Sequence, residues 1–533
     1  MKKFILLAAS AAFMSFNSLA QAQAPILGSA ANFALFSTNG AVSNTGLSHL
    51  TGDVGTNNGS STNFGNVDGV MHDSDGTTMI AATDLNTAYN QLNAAIPDYF
   101  PSPLLGNGQI LTAGTYSIGE SASLSNTLTL DGGGNANSVF IFKIQGALSS
   151  AAGAQVLLTN GALACNVFWK VEGLVDLATN TAMKGTIVAN NAAIILNSGA
   201  SLEGRALSTT GAVTVSGVTV RKPVGCGSKV LTGPAQPPLG TVVCYTVFTG
   251  NGSLTNTGIT YITGDVGTNV GLTTGFEATK VNGTIHLMPD TSTAKASLDL
   301  NNAYTFLNTL PTDIQLLYPA AFGQDLVLTP HTYEMNAATV LNGKVTLNAQ
   351  NNPNAVFVIK INGALSTSTY ASVELINQAQ AKNVFWKVDG AVNINDYSKF
   401  KGSVIGNNGA VIINKGVEIE GRVLSTSGGI STFGINAQMT SGCELLGTIS
   451  TTVTAKEAQL FPNPFSNVLN IKMEDLDGGS TLTIFNTAGA KVMQTVLSQK
   501  TSSLPMNLPV GVYFYQLTGK NGAKQSGKLI SKP

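Results

Sequence analysis

Asn166, Gly185 and Gly204 stand 19 residues apart and open three successive units, NVFWKVEGLVDLATNTAMK, GTIVANNAAIILNSGASLE and GRALSTTGAVTVSGVTVRK. The spacing returns at Asn383, Gly402 and Gly421. Within each unit, short apolar runs such as TIVA and AIIL alternate with Gly, Asn and Ser. That is the pattern of brief strands separated by turns at fixed intervals. At roughly 3.3 Å per residue, one unit encloses a perimeter of about 60 Å, which suits a three-sided coil around a packed core. Coils stacked at about 4.8 Å hydrogen-bond rung to rung and make a β-solenoid.

A longer repeat contains the short one. VSNTGLSHLTGDVGTN (42–57) matches LTNTGITYITGDVGTN (254–269), NVFWKVEG (166–173) matches NVFWKVDG (383–390), and EGR recurs at 203–205 and 420–422. The chain therefore carries a tandem duplication, with domains at 24–228 and 240–446 and a Pro/Gly-containing linker at 229–239 of the semi-rigid kind. TGDVGTN, present in both copies, reads as a coil corner. Its glycines allow a tight turn and its Asp satisfies nearby backbone N–H groups. One helix is expected in each domain, from Leu85, Tyr89, Leu92 and Ile96 and from Leu300, Tyr304, Leu307 and Leu310. Both follow helical spacing, end before Pro97 and Pro311, and turn one apolar stripe to the solenoid flank.

The two ends of the chain differ from its middle. Lys2 and Lys3, the apolar run Phe4–Phe13 and the small residues of SLAQAQA read as an export leader spanning 1–22, too short for a membrane anchor. A Thr/Ser-rich linker is expected at 447–456, followed by a β-sandwich at 457–533 built from LFPNPFSNVLNI, TLTIFNTAGAKV, LPVGVYFYQL and SGKLI. Four Cys allow three pairings, among which sequence does not choose. The repeat alignment suggests Cys165–Cys226 and Cys244–Cys443.

Charged residues make up only 10 % of the chain and the formal net charge is −1, which leaves no electrostatic footprint for nucleic acid. GxSxG, HExxH and P-loop patterns are absent, and four His are too few and scattered for a zinc cluster or a triad in each domain. Glu172, Asp176 and Glu203 do not recur as the facing carboxylates a glycosidase needs. HDSDG (72–76) lacks the spacing and closing Glu of an EF-hand, and its counterpart HLMPD loses the acids. His72 and His286 read as capping or packing residues. No enzyme, metal site or cofactor is expected.

What remains is surface chemistry. Small hydroxyl residues recur around the coil turns of the first domain: Thr179 and Thr181, then Ser198 and Ser201, then Ser216 and Thr219. One coil apart, they would form a ladder on a flat, uncharged face, with each β-branched Thr stiff at χ1. Such a face can order water. Ser and Thr are also good solenoid turn residues, so the ladder alone leaves both readings open.

Several motifs, in order, resolve the choice by resemblance. LGSAANFALFSTNGAVSNTG…LTGDVGTN, the helix AATDLNTAY, ACNVFWKV, KGTIVA, LNSGASLEGRALSTTGAVT and KPVGC together resemble the microbial ice-binding protein family. The likeness covers essentially all of 24–228 and, more loosely, 240–443. It implies two tandem right-handed β-solenoid domains, mainly β, each with one long flanking α-helix. It also implies adsorption to an ice crystal surface through a face with a T-A/G-x-T/N-like pattern, which TAMK (181–184), SGAS (198–201) and SGVT (216–219) approximate. The corresponding second-domain segments YSKF, KGVE and GINA place Lys415 and Glu418 among the expected hydroxyls, so the first domain is expected to contribute more. If the second binds ice through another face, Asn407–Asn408 and Ser425–Ser427 are the candidates. FPNP, Gly511–Tyr513 and the closing GKLI resemble the type IX secretion C-terminal sorting domain. That likeness implies engagement of the secretion machinery and export to the outer surface of a Gram-negative bacterium. A monomer is expected. The rival is an adhesive or carbohydrate-binding solenoid, for which Trp169 and Trp386, on alternating apolar strands, read as core and not as an exposed platform.

Overall fold

In the most regular coils a glycine makes one of the corners. Ala182–Ala189 is an eight-residue strand that pairs along its whole length with Ser201–Ser208 on one side, while on the other its first residue meets Gln155 and its second half meets Phe168–Val171. Gly185 sits at the bend with φ +102°, where a Cβ would lie 2.5 Å from the Val167 carbonyl oxygen; Gly402 repeats this at φ +106°. The left-handed backbone and the close approach both require glycine. In the computed structural model, which describes residues 22–227, 230–288, 290–440, 458–473, 480–487, 489–519 and 524–533, these corners generate two parallel β-solenoids of triangular section. The expected leader 1–22 (apart from Ala22), Cys443 and the linker 447–456 lie outside the described residues.

Three faces recur in both solenoids. In the first, face A carries His49–Thr51, Gln109–Thr112, Thr127–Asp131, Gln155–Thr159 and Thr219–Arg221, with the first halves of the two eight-residue strands. Face B is a separate eight-stranded sheet ordered Ser61–Thr62, Val42–Thr45, Val213–Ser216, Ile194–Leu196, Val175–Leu177, Leu148–Ser150, Ala122–Ser125 and Leu104–Gly106. Face C carries Phe33–Ser37, Asp53–Thr56, Met71–Asp73, Gly114–Ile118, Phe140–Ile144 and Val167–Val171. From Phe33–Ser37 near one end the chain coils out to Ser61–Thr62 and returns along face C as a helix. It then stacks coils back until Val213–Ser216 meets Val42–Thr45.

That returning helix is α1, Gly76–Ala94; its counterpart in the second solenoid is α2, Thr291–Thr309. Nineteen residues span about 28 Å at 1.5 Å each, close to the roughly 34 Å covered by eight rungs. Ala81, Leu85 and Leu92 pack on Phe33, Phe36, Ile141, Phe168, Val188 and Leu207 of face C. Ile96 lies past the helix C-cap and is 78 % exposed, so it is no part of the expected stripe. Buried Lys170 pairs with Glu172, which also accepts from Tyr89 Oη (2.8 Å) and Asn190 (2.8 Å). Lys143 caps the far end of the helix through the Asn93 and Ala95 carbonyls. Burial and the neighbouring carboxylate push the Tyr89 hydroxyl up to about 12.

The interior is apolar and tightly stacked. Tyr116, Phe142 and Trp169 lie on successive rungs with centroids 5.1 and 4.0 Å apart, and both Trp169 and Trp386 are fully buried, as the alternating strands indicate. Cys165 and Cys226 form a disulfide, one of the two bridges suggested by the repeat. The described part of the expected linker, 230–239, is bonded along the second solenoid: Asn352 Nδ2 donates to the Leu231 carbonyl, the Val356 amide to the Thr232 carbonyl, and Gln236 to Asn383 Oδ1.

The chain divides after Cys443 into a second unit. Its three-stranded and four-stranded antiparallel sheets form a β-sandwich whose core holds Phe465, Leu469, Ile471, Leu482, Ile484, Tyr513 and Leu529.

Candidate functional site

Strand alternation and coil stacking decide what each face shows to solvent. On face B of the first solenoid the outward residues fall in register as Leu104, Ser123, Ser149, Asp176, Ile195, Thr214, Ser43 and Thr62. On face B of the second they are Val340, Ser366, Asn393, Ile412, Ser431, Thr255 and Thr274. None is buried. Neighbouring hydroxyls touch along the column: Ser43 Oγ donates to Thr214 Oγ1 at 3.4 Å, and Thr255 and Ser431 hydroxyls lie 3.1 Å apart. Two residues earlier on each strand runs a column of small side chains, Ala147, Ala193, Ala212 and Ala41 in the first solenoid and Ala364, Ala391, Ala410 and Gly429 in the second. Leu174 interrupts the first and Leu272 the second. Asp176, whose Oδ1 accepts from Asn197, is the single charged side chain in these columns.

Face A is chemically opposite. Lys184, Glu203 and Arg221 form a ladder on successive rungs, with Glu203 Oε2 at 2.8 Å from Lys184 Nζ and 3.0 Å from Arg221 Nη2. Burial acts to raise the Glu203 carboxyl, but Lys184 and Arg221 outweigh it and hold it below the usual range. The second solenoid carries more charge there: Lys399 faces Glu418, Lys401 faces Glu420, and Lys344 lies between Asp325 and Glu374. Face C lies under the helices.

The residues singled out by sequence separate across these faces. Thr179 and Ser198 are exposed at the corner between faces B and A, Ser201 and Thr219 project from face A beside its charges, and Ser216 stands on face B paired with Thr45. Thr181 is fully buried and bonds Ser150 Oγ at 2.7 Å inside the coil, so it presents nothing to a surface. Lys415 and Glu418 stand at the corner and on face A; neither interrupts the outward columns of face B in the second solenoid, and the reason for ranking that domain lower disappears. Asn408 and Ser427 bond each other at the corner between faces C and B, and Ser425 and Thr426 are buried. The columns through Thr214 and Ser431 escaped sequence reading because adjacent rungs join residues as far apart as 43 and 214. The alternation in AVTVSG and GGISTF carried the signal.

The remaining motifs serve the fold. Asp53 and Asp265 of TGDVGTN accept from the Val70 and Thr284 amides, but the corner expected of the heptapeptide is confined to Gly52 and Gly264 (φ +128° and +120°), and Asp53–Thr56 and Asp265–Thr268 are strands. Asp75 caps α1 through the Thr78 amide and bonds His72, while Asp73 accepts from Ser61.

The model of the ice-binding-like family matches residues 36–221 and 248–436, and that of the secretion system C-terminal sorting domain matches 459–532. An ice-binding protein of Nostoc sp. (strain HG1) is 38 % identical over 219 residues, which is 40 % of this chain and 80 % of that protein. One from Flammulina populicola is 32 % identical over 236 residues, 40 % of this chain and 94 % of the relative. The crystal structure of an ice binding protein from an Antarctic bacterium, Flavobacteriaceae, superposes with a TM-score of 0.79 at 82 % identity, covering 79 % of this chain and all of the other.

Proposed function

This chain belongs to the ice-binding-like family, and from that premise we propose that it adsorbs to ice through face B of both solenoids and inhibits ice growth and recrystallisation. One observation carries the choice of face. Among the described residues, face B is the outer face that both solenoids leave uncovered and nearly free of charge. A charged group binds water in its own geometry and resists giving it up, so the ion-paired face A is a poor template for a lattice. Face B offers hydroxyls, amides and methyls at fixed height on a rung spacing of about 4.8 Å set by backbone hydrogen bonds. Water held in that array merges with the crystal. Ice growing between adsorbed molecules must then curve outward, which lowers its local freezing point.

The C-terminal sandwich is a secretion sorting domain, which implies export to the cell surface or beyond. The finer route is part of the proposal: the leader 1–22 takes the chain across the inner membrane, and type IX machinery takes it across the outer membrane of a Gram-negative cell and removes the sandwich. The proposed role is adsorptive, without catalysis, and carried out by a monomer.

Ice recrystallisation inhibition and thermal hysteresis of the purified protein test the reading; folded protein with neither activity would end it. A second reading has one observation in its favour. Tyr370 and Tyr397 stack at 5.2 Å and are 71 % and 42 % exposed, an aromatic platform of the kind that carbohydrate-binding or adhesive surfaces use. Polysaccharide binding that disappears in Tyr397→Ser would support it.

A further inference from the structure

The two solenoids meet end to end, and the seam between them is built from specific polar contacts. Asn66 Nδ2 donates to the Tyr318 carbonyl at 2.9 Å, while Asn66 Oδ1 accepts from the Tyr318 amide at 2.9 Å. Asp68 is buried; its Oδ2 accepts from Thr329 Oγ1 at 2.8 Å and its Oδ1 from Tyr333 Oη at 2.6 Å. Burial pushes the Asp68 carboxyl above its ordinary range, opposed by His331 and by these two hydroxyls. Tyr116 occupies the position in the first solenoid that Tyr333 occupies in the second. It stacks on Tyr99 of its own domain at 4.9 Å. Tyr333 pairs with Ile314 of its own domain and reaches Asp68 of the other solenoid through its hydroxyl.

The faces align across this seam. On face A, strand His49–Thr51 lies against Leu326–Leu328, and burial lowers the His49 imidazole, opposed by the charge of Asp325 across the seam. Asp325 precedes Lys344 in the column that continues through Ser372, Lys399 and Glu418, and His49 ends the matching column of Thr219 and Ser201. Near face C, a cavity of about 120 Å³ at the seam is lined by Met71 from one solenoid and Gln315 from the other. Two matched faces on coils of the same winding fix the third. Eight rungs from each solenoid then give one face B roughly 70 Å long.

We propose that Asn66 and Asp68 are positioning residues for ice adsorption: they lock the solenoids in axial and rotational register, so that two moderate faces act as one rigid face. This rests on the reading that face B binds ice. A rigid pair engages both halves in one event, whereas a tethered pair must find the crystal twice. The connecting segment, bonded to the second solenoid through Leu231 and Thr232, keeps the domains tethered when the lock is removed.

The test is Asn66→Ala combined with Asp68→Ala in the full chain, with Asp68→Asn, which retains an acceptor oxygen, as the conservative partner. Circular dichroism checks the fold, small-angle scattering reads the interdomain geometry, and recrystallisation inhibition reads function. The double variant should keep its fold, broaden the distribution of long interatomic distances, and need roughly tenfold or more protein to stop recrystallisation; Asp68→Asn should recover most of both. Unchanged scattering would overturn the lock. A loosened pair with undiminished activity would overturn its role in adsorption. Wild-type protein without activity would instead remove the ice reading on which the role depends, leaving scattering to decide the lock.

Discussion

Replacing Thr214 and Ser431 by Lys, one in each solenoid, separates face B from face A as the adsorbing surface. The two positions are equivalent, and each is flanked on its column by an isoleucine and a hydroxyl residue: Ile195 and Ser43, Ile412 and Thr255. An extended lysine reaches past one rung spacing of about 4.8 Å, so its hydration shell disturbs its own rung and both neighbours, or about 14 Å of a face about 34 Å long. Even a face that holds ice only as weakly as a millimolar complex, about 4 kcal/mol, would lose about 1.5 kcal/mol, enough for a roughly tenfold change. Stability should stay within about 0.5 kcal/mol, because both positions are outward and away from the core. The assay is the endpoint concentration for recrystallisation inhibition, with thermal unfolding as the control for fold. Ser201→Lys, on face A between Ala182 and Thr219, should leave that endpoint unchanged. Loss of activity in Ser201→Lys together with full activity in the face B pair would refute the assignment.

Other consequences can be measured separately. Asp290 is held down to about 2 by hydrogen bonds from His286 and Ser292, so its stabilisation of α2 is present above an unfolded value near 4 and is lost as pH falls through about 2. Amide protection factors in the first turn of α2, taken relative to the intrinsic exchange rate at each pH, should therefore fall between pH 4 and 2, and Asp290→Asn should flatten that response. Cys165→Ser with Cys226→Ser opens a bridge of sequence separation 61, and loop-closure entropy puts the cost at about 4 kcal/mol, readable in the urea midpoint. Phe142→Ala removes the middle of the stack between Tyr116 and Trp169 and should cost about 3–5 kcal/mol by chemical denaturation, with the outward columns of face B unaltered.

The 19-residue period determined the coil, the duplication determined that there are two, and the alternating strands placed Trp169 and Trp386 inside; each signal lies within one unit or in its exact repetition. The helices were legible from their spacing, except at Ile96 and Leu310, where the chain had already left the helix, although Leu310 still packs on the core. Thr181 shows where such reading stops. It stands two residues from Thr179, yet the corner between them turns its side chain inward, and alternation gives no warning of a phase shift at a turn.

The sequence by itself therefore determined the architecture of this protein, because rung stacking and core packing are written as local periodicity. Tertiary structure alone decided which face is nearly free of charge in both solenoids, why Lys415 and Glu418 lie off its columns, and how Asn66 and Asp68 meet Tyr318, Thr329 and Tyr333 more than 250 residues away. Those outcomes depend on which residues of distant coils share a column and on how one solenoid ends against the next. Neither leaves a periodic trace in the chain.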